Sequence, residues 1–353
     1  MSLLSTPISS LLSALASAAG AAERVTLTTA LALPEPVQRR LVGKPVTVDG
    51  HALATDTQLM LKLAKVAGPA VESLPIDQGR RVLLRQSRIA GGRQRIGRVD
   101  ALQAAGHPAR LYTPSSATDG PGPLLVLFHG GGFVYGDLDS HDAPARLLAE
   151  ESGVRVLAVE YRLAPEAPFP AAYDDALEIF EWVLEHAAAV SADPRRIGVG
   201  GDSAGGNLAT GVALAVTDRC AFQLLVYPVT QFDEQTESRR LFRTGYYLTS
   251  DFIDVAGSSY VRAGTDPRDP RLSPLYADVP DRGVAPAFVA TAGFDPLRDE
   301  GEAYAEKLAA AGVKVESKRY ADQIHGFFNV LAARTSRAAT ADLAAALRRG
   351  LAG

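Results

Sequence analysis

Two glycine-rich segments carry residues whose types and spacing could do chemistry: His129-Gly130-Gly131-Gly132 and Gly201-Asp202-Ser203-Ala204-Gly205. Each directly follows a run that reads as a buried strand, Leu124–Phe128 and Arg196–Gly200. The second has the form G-x-S-x-G, in which small neighbours let a serine sit on a strained strand-to-helix turn. The first brings backbone N–H groups close to any oxygen that turns negative during a reaction. A serine held out on a turn and a glycine loop able to bind an anion together point to acyl transfer.

A serine hydroxyl attacks poorly unless a base takes its proton. Where the nucleophile sits on such a turn, its partners follow in chain order acid, then histidine. Of the six histidines, only His325 lies beyond Ser203, in Ile324-His325-Gly326-Phe327, just after the last expected strand. The acid belongs at a strand end between the two, and Asp295 fits best because Ala287–Gly293 reads as a strand that Phe294-Asp295-Pro296 terminates. Asp299 and Glu300 are the runners-up. They fall where a helix begins and read as charges complementing its dipole. In this reading Ser203 attacks the ester carbonyl and His325 accepts and returns the proton, while Asp295 holds the imidazole. The N–H groups of Gly131, Gly132 and Ala204 form the oxyanion hole.

Each piece alone has a bland alternative: a glycine run is often only a turn, and a late histidine is usually on the surface. The functional reading rests on their order, each after an expected strand.

The elements that must position these residues begin at about residue 95. Arg95–Leu102 and Pro108–Thr113 read as an antiparallel hairpin. Strands at 124–128, 154–160, 196–200, 222–227, 286–293 and 313–319 then alternate with helices at 140–152, 171–190, 204–216, 299–311 and 337–350. Such alternation predicts an α/β fold with a mostly parallel sheet covered by helices on both faces. The rhythm breaks over about 229–280, where Leu241, Phe242, Tyr246, Tyr247 and Leu248 give an insertion an aromatic face suited to covering a cleft.

Residues 1–94 read as an N-terminal extension with cap helices, ahead of a catalytic domain at 95–353. Thr55 and Gln58 read as a capping box before Leu59, Leu63 and Val66 on one helical face. Arg80, Arg81, Arg85, Arg88, Arg93, Arg95 and Arg98 run without an intervening acid, a solvated face expected to pair with acids elsewhere.

The chain has 353 residues with 47% hydrophobic and 22% charged content, an ordinary globular balance. Its net charge of −4 gives no reason to expect nucleic acid as a partner. Cys220 is the only cysteine, so no internal disulfide can form and a cytoplasmic setting is the simplest fit. The first 22 residues carry no charged side chain, whereas an export signal would want Lys or Arg before a stronger apolar core. No integral membrane segment is expected. No C-x-x-C, H-E-x-x-H or G-x-x-x-x-G-K-[ST] motif is present, so no metal or other cofactor is expected. Gly198-Val199-Gly200 starts like a dinucleotide fingerprint but ends on Ser203, where a third glycine is needed.

The HGGGF loop, Tyr161-Arg162-Leu163-Ala164-Pro165-Glu166, the GDSAGG turn, Asp295-Pro296-Leu297 and His325-Gly326-Phe327 together resemble the hormone-sensitive-lipase family. These are the bacterial family IV carboxylesterases of the α/β-hydrolase fold. The resemblance spans about residues 95–350 and is weaker before that. It implies an eight-stranded sheet with one antiparallel strand, and a cap built from the N-terminal region plus the 229–280 insertion. It further implies that His129 organises its loop, and that Arg162 and Glu166 shape the wall beside it. Family members often dimerise through the edge strand, here 313–319, which makes a homodimer one option. The function implied is hydrolysis of short- to medium-chain esters through an acyl-enzyme. Deacetylation of a sugar or natural product is the nearby alternative. A non-catalytic small-molecule receptor on the same scaffold is the alternative from another class, and the retained His325 counts against it.

Overall fold

The computed structural model describes residues 24–65 and 68–352. The expected uncharged extension over residues 1–22 and the helical position of Val66 lie outside these. A two-stranded ribbon, β1 (Thr47–Val48) and β2 (His51–Ala52), precedes the main sheet. The main sheet comprises β3 (Arg98–Ala104), β4 (His107–Thr113), β5 (Gly122–Phe128), β6 (Arg155–Val159) and β7 (Ala192–Asp202). It continues with β8 (Gln223–Val226), β9 (Ala287–Phe294) and β10 (Val315–Ile324). Their spatial order is β10-β9-β8-β7-β5-β6-β4-β3. β4 pairs antiparallel with both β3 and β6, and every other pairing is parallel. The sheet is therefore eight-stranded with one reversed strand, as the resemblance implied.

The central strands read as unbroken apolar runs because helices cover both faces. Leu124, Val126, Phe128, Val199 and Leu225 pack with helices Ala171–Glu185 and Ala204–Ala215 on one side. Leu125, Leu127, Leu224, Val226 and Phe288 pack with helices Asp142–Ser152 and Arg334–Leu351 on the other. Burying one such leucine or phenylalanine contributes about 1.5–3 kcal/mol. The expected helix over 171–190 ends instead at Glu185, and a single 3₁₀ turn carries the chain through Ala187–Val190 into β7.

The N-terminal region departs further from expectation. The capping box does not form: Ala54 is the N-cap of helix Thr55–Ala64, and no side chain caps it. Gln58 faces inward, where its amide donates to the Lys44 carbonyl at 2.9 Å and accepts from Val46 N–H at 3.2 Å. A buried amide must find partners, and the adjacent loop supplies them better than the helix end does. Leu59 and Leu63 join Val42, Phe242, Phe294, Ile324 and Val330 in a separate apolar cluster. The N-terminal helices, the insertion and the carboxyl ends of β9 and β10 thus meet at one edge of the sheet. Two arginines of the run pair with acids elsewhere as expected, Arg80 with Glu166 and Arg88 with Asp139, while Arg81 and Arg98 pair locally with Asp77 and Asp100, the acids that bound the run. Among the described residues, no helix is long and apolar enough to cross a membrane.

Candidate active site

Strand β7 ends at Asp202, and the chain turns into helix Ala204–Ala215 at a single residue, Ser203, with φ 57° and ψ −116°. This conformation is costly for a non-glycine residue and persists only where its surroundings enforce it. Crowding does so here. A Cβ at Gly205 would lie 2.0 Å from the Phe128 carbonyl oxygen, and one at Gly201 would lie 2.3 Å from Gly205. The spacing of small residues is therefore dictated by backbone contact, and the serine is held out at the end of the sheet.

β10 runs past the expected 319 to Ile324, so His325 emerges at the same sheet end. Its Nε2 lies 3.0 Å from Ser203 Oγ, and its Nδ1 lies 2.8 Å from Asp295 Oδ2. Asp295 follows β9, is fully buried, and accepts the Leu297 N–H at 2.8 Å through its other oxygen. The structure thus brings Ser203, His325 and Asp295 into one hydrogen-bonded chain. Of the two runners-up, Asp299 accepts from Ser238 N–H at 2.7 Å, and Glu300 points into a buried pocket to meet Arg239. Both stand in the first turn of helix Arg298–Ala310, as expected of charges complementing its dipole, and Glu300 is in addition the buried partner of Arg239.

Beside Ser203, the glycine loop carries positive φ at Gly131 (122°) and Gly132 (63°). A Cβ at Gly131 would lie 2.2 Å from the Tyr135 carbonyl oxygen, so the loop tolerates no larger residue there. Among the described residues, the N–H groups of Gly131, Gly132 and Ala204 donate to no protein acceptor. Gly132 and Ser203 both line a cleft of about 230 Å³ walled by Phe133, Val229, Phe232, Leu248, Phe252 and Leu297.

Behind the loop lies a buried polar cluster that sequence reasoning missed. Asp202 accepts the Gly130 N–H at 2.9 Å and faces His141 Nε2 at 3.2 Å. Burial opposes ionisation of this carboxyl, yet the imidazole of His141 and the Gly130 N–H hold it below the usual carboxylate range. The available signal was an acid closing the uncharged run Ile197–Gly201, which demands a partner once buried. His129 stacks on Tyr161 and approaches its neighbour's carbonyl, Gly130 O, at 2.9 Å, while Tyr161 donates to the His129 carbonyl at 2.8 Å. Burial drives the His129 pKa down to about 4. These bonds fit the loop-organising part implied for it. Arg162 clasps Asp175, and Glu166 is tied to Arg80, which also donates to the carbonyls of Val134 at 2.8 Å and Ala164 at 2.8 Å.

His107, Asp175 and Glu178 bring potential metal-ligand atoms within 4.8 Å of one another. The Asp175 carboxylate is already neutralised by the Arg162 guanidinium at 2.5 Å, which opposes a cation there.

A family model described as alpha/beta hydrolase fold matches residues 125–329, and the chain belongs to that family, on the hormone-sensitive-lipase-like branch its motifs resemble. It stands among the branch's carboxylic ester hydrolases. It is 42% identical over 339 residues to the carboxylic ester hydrolase LipN of Mycobacterium tuberculosis, covering 90% of this chain and 89% of that one. The ethyl acetate hydrolase of Pseudomonas putida is 37% identical over 298 residues, 79% of this chain and 93% of its own. Among solved structures, the hyperthermophilic esterase of Pyrobaculum calidifontis superposes with a TM-score of 0.79 at 35% identity, covering 84% of this chain and 98% of that one.

Proposed function

We propose that this carboxylic ester hydrolase cleaves short- to medium-chain acyl esters through an acyl-enzyme on Ser203. His325 takes the Ser203 proton as Oγ bonds to the ester carbonyl carbon, and the carbonyl oxygen becomes an oxyanion. That charge falls to the N–H groups of Gly131, Gly132 and Ala204, the last at the positive end of a helix. Collapse of the intermediate breaks the ester C–O bond, and His325 returns its proton to the departing alcohol. Water then repeats the sequence to release the acid. Asp295 fixes the imidazole so that Nε2 faces the serine and stabilises its charged form.

One observation carries the reading: the continuous Ser203–His325–Asp295 chain, at 3.0 and 2.8 Å, beside three N–H groups without protein acceptors among the described residues. The cleft of about 230 Å³ is small against the ~300–1,000 Å³ of drug-sized sites and favours short acyl groups. The N-terminal segment to residue 94 and the 229–280 insertion act in this reading as the cap over a 95–353 catalytic domain. The enzyme is taken to be cytoplasmic, and a homodimer through the β10 edge is one option that a monomer mass in solution would remove.

The test is labelling with an organophosphate followed by turnover of p-nitrophenyl acetate. Mass spectrometry should find the adduct on Ser203, and Ser203→Ala should lose both labelling and turnover. An adduct elsewhere, or equal turnover in the folded variant, would overturn the assignment. An ester-binding receptor would show no turnover in the parent protein.

A further inference from the structure

The cleft beside Ser203 is lined mostly by apolar side chains, and Arg239 of helix Glu237–Leu241 is the one cationic side chain among its lining residues, beside the polar Gln235, Asp254 and Ser258. This guanidinium is held rigidly. Its Nε and Nη2 both donate to Glu300 Oε2, at 3.0 and 2.8 Å, and Nη2 also donates to the Gln231 carbonyl at 3.1 Å. Glu300 is itself buried and accepts the Thr230 N–H at 2.9 Å, so it cannot swing away. The remaining nitrogen, Nη1, has no partner among the described residues and is not sealed from solvent. Arg239 thus lines the cleft with two N–H donors of a fixed planar fork that no described protein group occupies.

Resting on the esterase reading above, we propose that Arg239 is a specificity residue selecting esters with a second, neutral acceptor oxygen remote from the scissile carbonyl. The neutral class follows from charge. Glu300 already neutralises the guanidinium at contact distance, and Asp254 also lines the cleft, so a substrate carboxylate would gain little and meet a like charge. An ether or carbonyl oxygen would gain a charge-assisted hydrogen bond without bringing a charge of its own. A purely alkyl chain would leave the Nη1 donors dry and unmatched, and sites built to hydrogen-bond reject such analogues strongly.

Isosteric ester pairs read this directly. 2-Methoxyethyl acetate against butyl acetate probes the alcohol side, and ethyl 3-methoxypropanoate against ethyl pentanoate probes the acyl side. A hydrogen bond to a charged donor is worth about tenfold or more in binding. The ratio of kcat/KM within at least one pair should therefore fall by about tenfold or more from the parent enzyme to Arg239→Met. Comparing ratios between enzymes cancels the intrinsic reactivity of the ether-bearing esters. Because Arg239→Met strands a buried carboxylate, Arg239→Met/Glu300→Gln is measured beside it, with thermal melting to verify folding. Ratios equal in parent and folded variants for both pairs would overturn the proposal. So would a preference for monoethyl succinate over both ether esters that disappears with Arg239. A parent protein that fails to turn over p-nitrophenyl acetate would instead refute the esterase reading, and this one with it.

Discussion

Replacing Asp202 tests whether the glycine loop is preorganised from behind. Its carboxylate, adjacent in sequence to Ser203, accepts the Gly130 N–H at 2.9 Å. Asp202→Ala leaves that buried N–H with only the longer contact to His141 Nε2 at 3.3 Å. A buried donor left wholly unmatched costs about 1–3 kcal/mol, and weakening its pairing to that one longer contact forfeits part of this, enough to let the loop shift. Gly131 and Gly132 follow directly, and losing one oxyanion donor costs about 10²–10³ in kcat. The ground-state carbonyl gains little from that hole, so KM should stay within about threefold. Asp202→Asn keeps an acceptor for Gly130 and should lose only about tenfold. The assay is kcat and KM on p-nitrophenyl butyrate for both variants, with Tm measured alongside. Equal losses of Tm without a split in kcat, or Asp202→Ala within threefold of the parent in kcat, would refute the reasoning.

Three further outcomes are expected. Asp295→Asn should lower kcat by about 10⁴ with the fold intact, since the amide favours the wrong imidazole tautomer; a loss under tenfold would remove Asp295 from the triad. Stability should depend on pH through His129, whose folded pKa of about 4 lies below the unfolded value of about 6.5. Above pH 6.5 neither state holds the proton and this contribution is fully present. Between about 6.5 and 4 the unfolded chain takes a proton that the native state declines, and up to about 3 kcal/mol is lost. Urea titrations from pH 7 to 4.5 should therefore show a steeper loss in the parent than in His129→Gln, and parallel curves would contradict it. Finally, kcat/KM across p-nitrophenyl esters should peak at short to medium acyl chains; a maximum at palmitate would mean that the cleft of about 230 Å³ is not the acyl site.

The parts of the site written into local sequence were legible. Gly131, Gly201 and Gly205 stand where backbone meets backbone, a constraint no other residue type meets. Asp295 and His325 could be found because each follows an apolar run long enough to be a buried strand. What stayed hidden depends on contacts distant in the chain. Gln58 looked like half of a capping box and instead straps the 42–46 loop. Glu300 read as a helix-dipole charge, which its place in the first turn bears out, but its partner Arg239, some sixty residues earlier, stayed hidden. The pairing of Asp202 with His141 likewise joins a strand end to a helix start. The β1–β2 ribbon was missed for another reason. Asp49 and Gly50, both with positive φ (53° and 75°), are a strong hairpin signal that the helical reading of this region passed over.

Arg80 binds the fate of the two halves of the molecule together. By gripping the Val134 and Ala164 carbonyls from helix Ile76–Gly91, it makes the leading segment a splint for the loop proposed to receive the oxyanion. A chain trimmed to its hydrolase motifs would keep every reacting group and lose the clasp that holds the wall upright. Grafted covers should therefore work only when they bring an equivalent guanidinium to the same two oxygens.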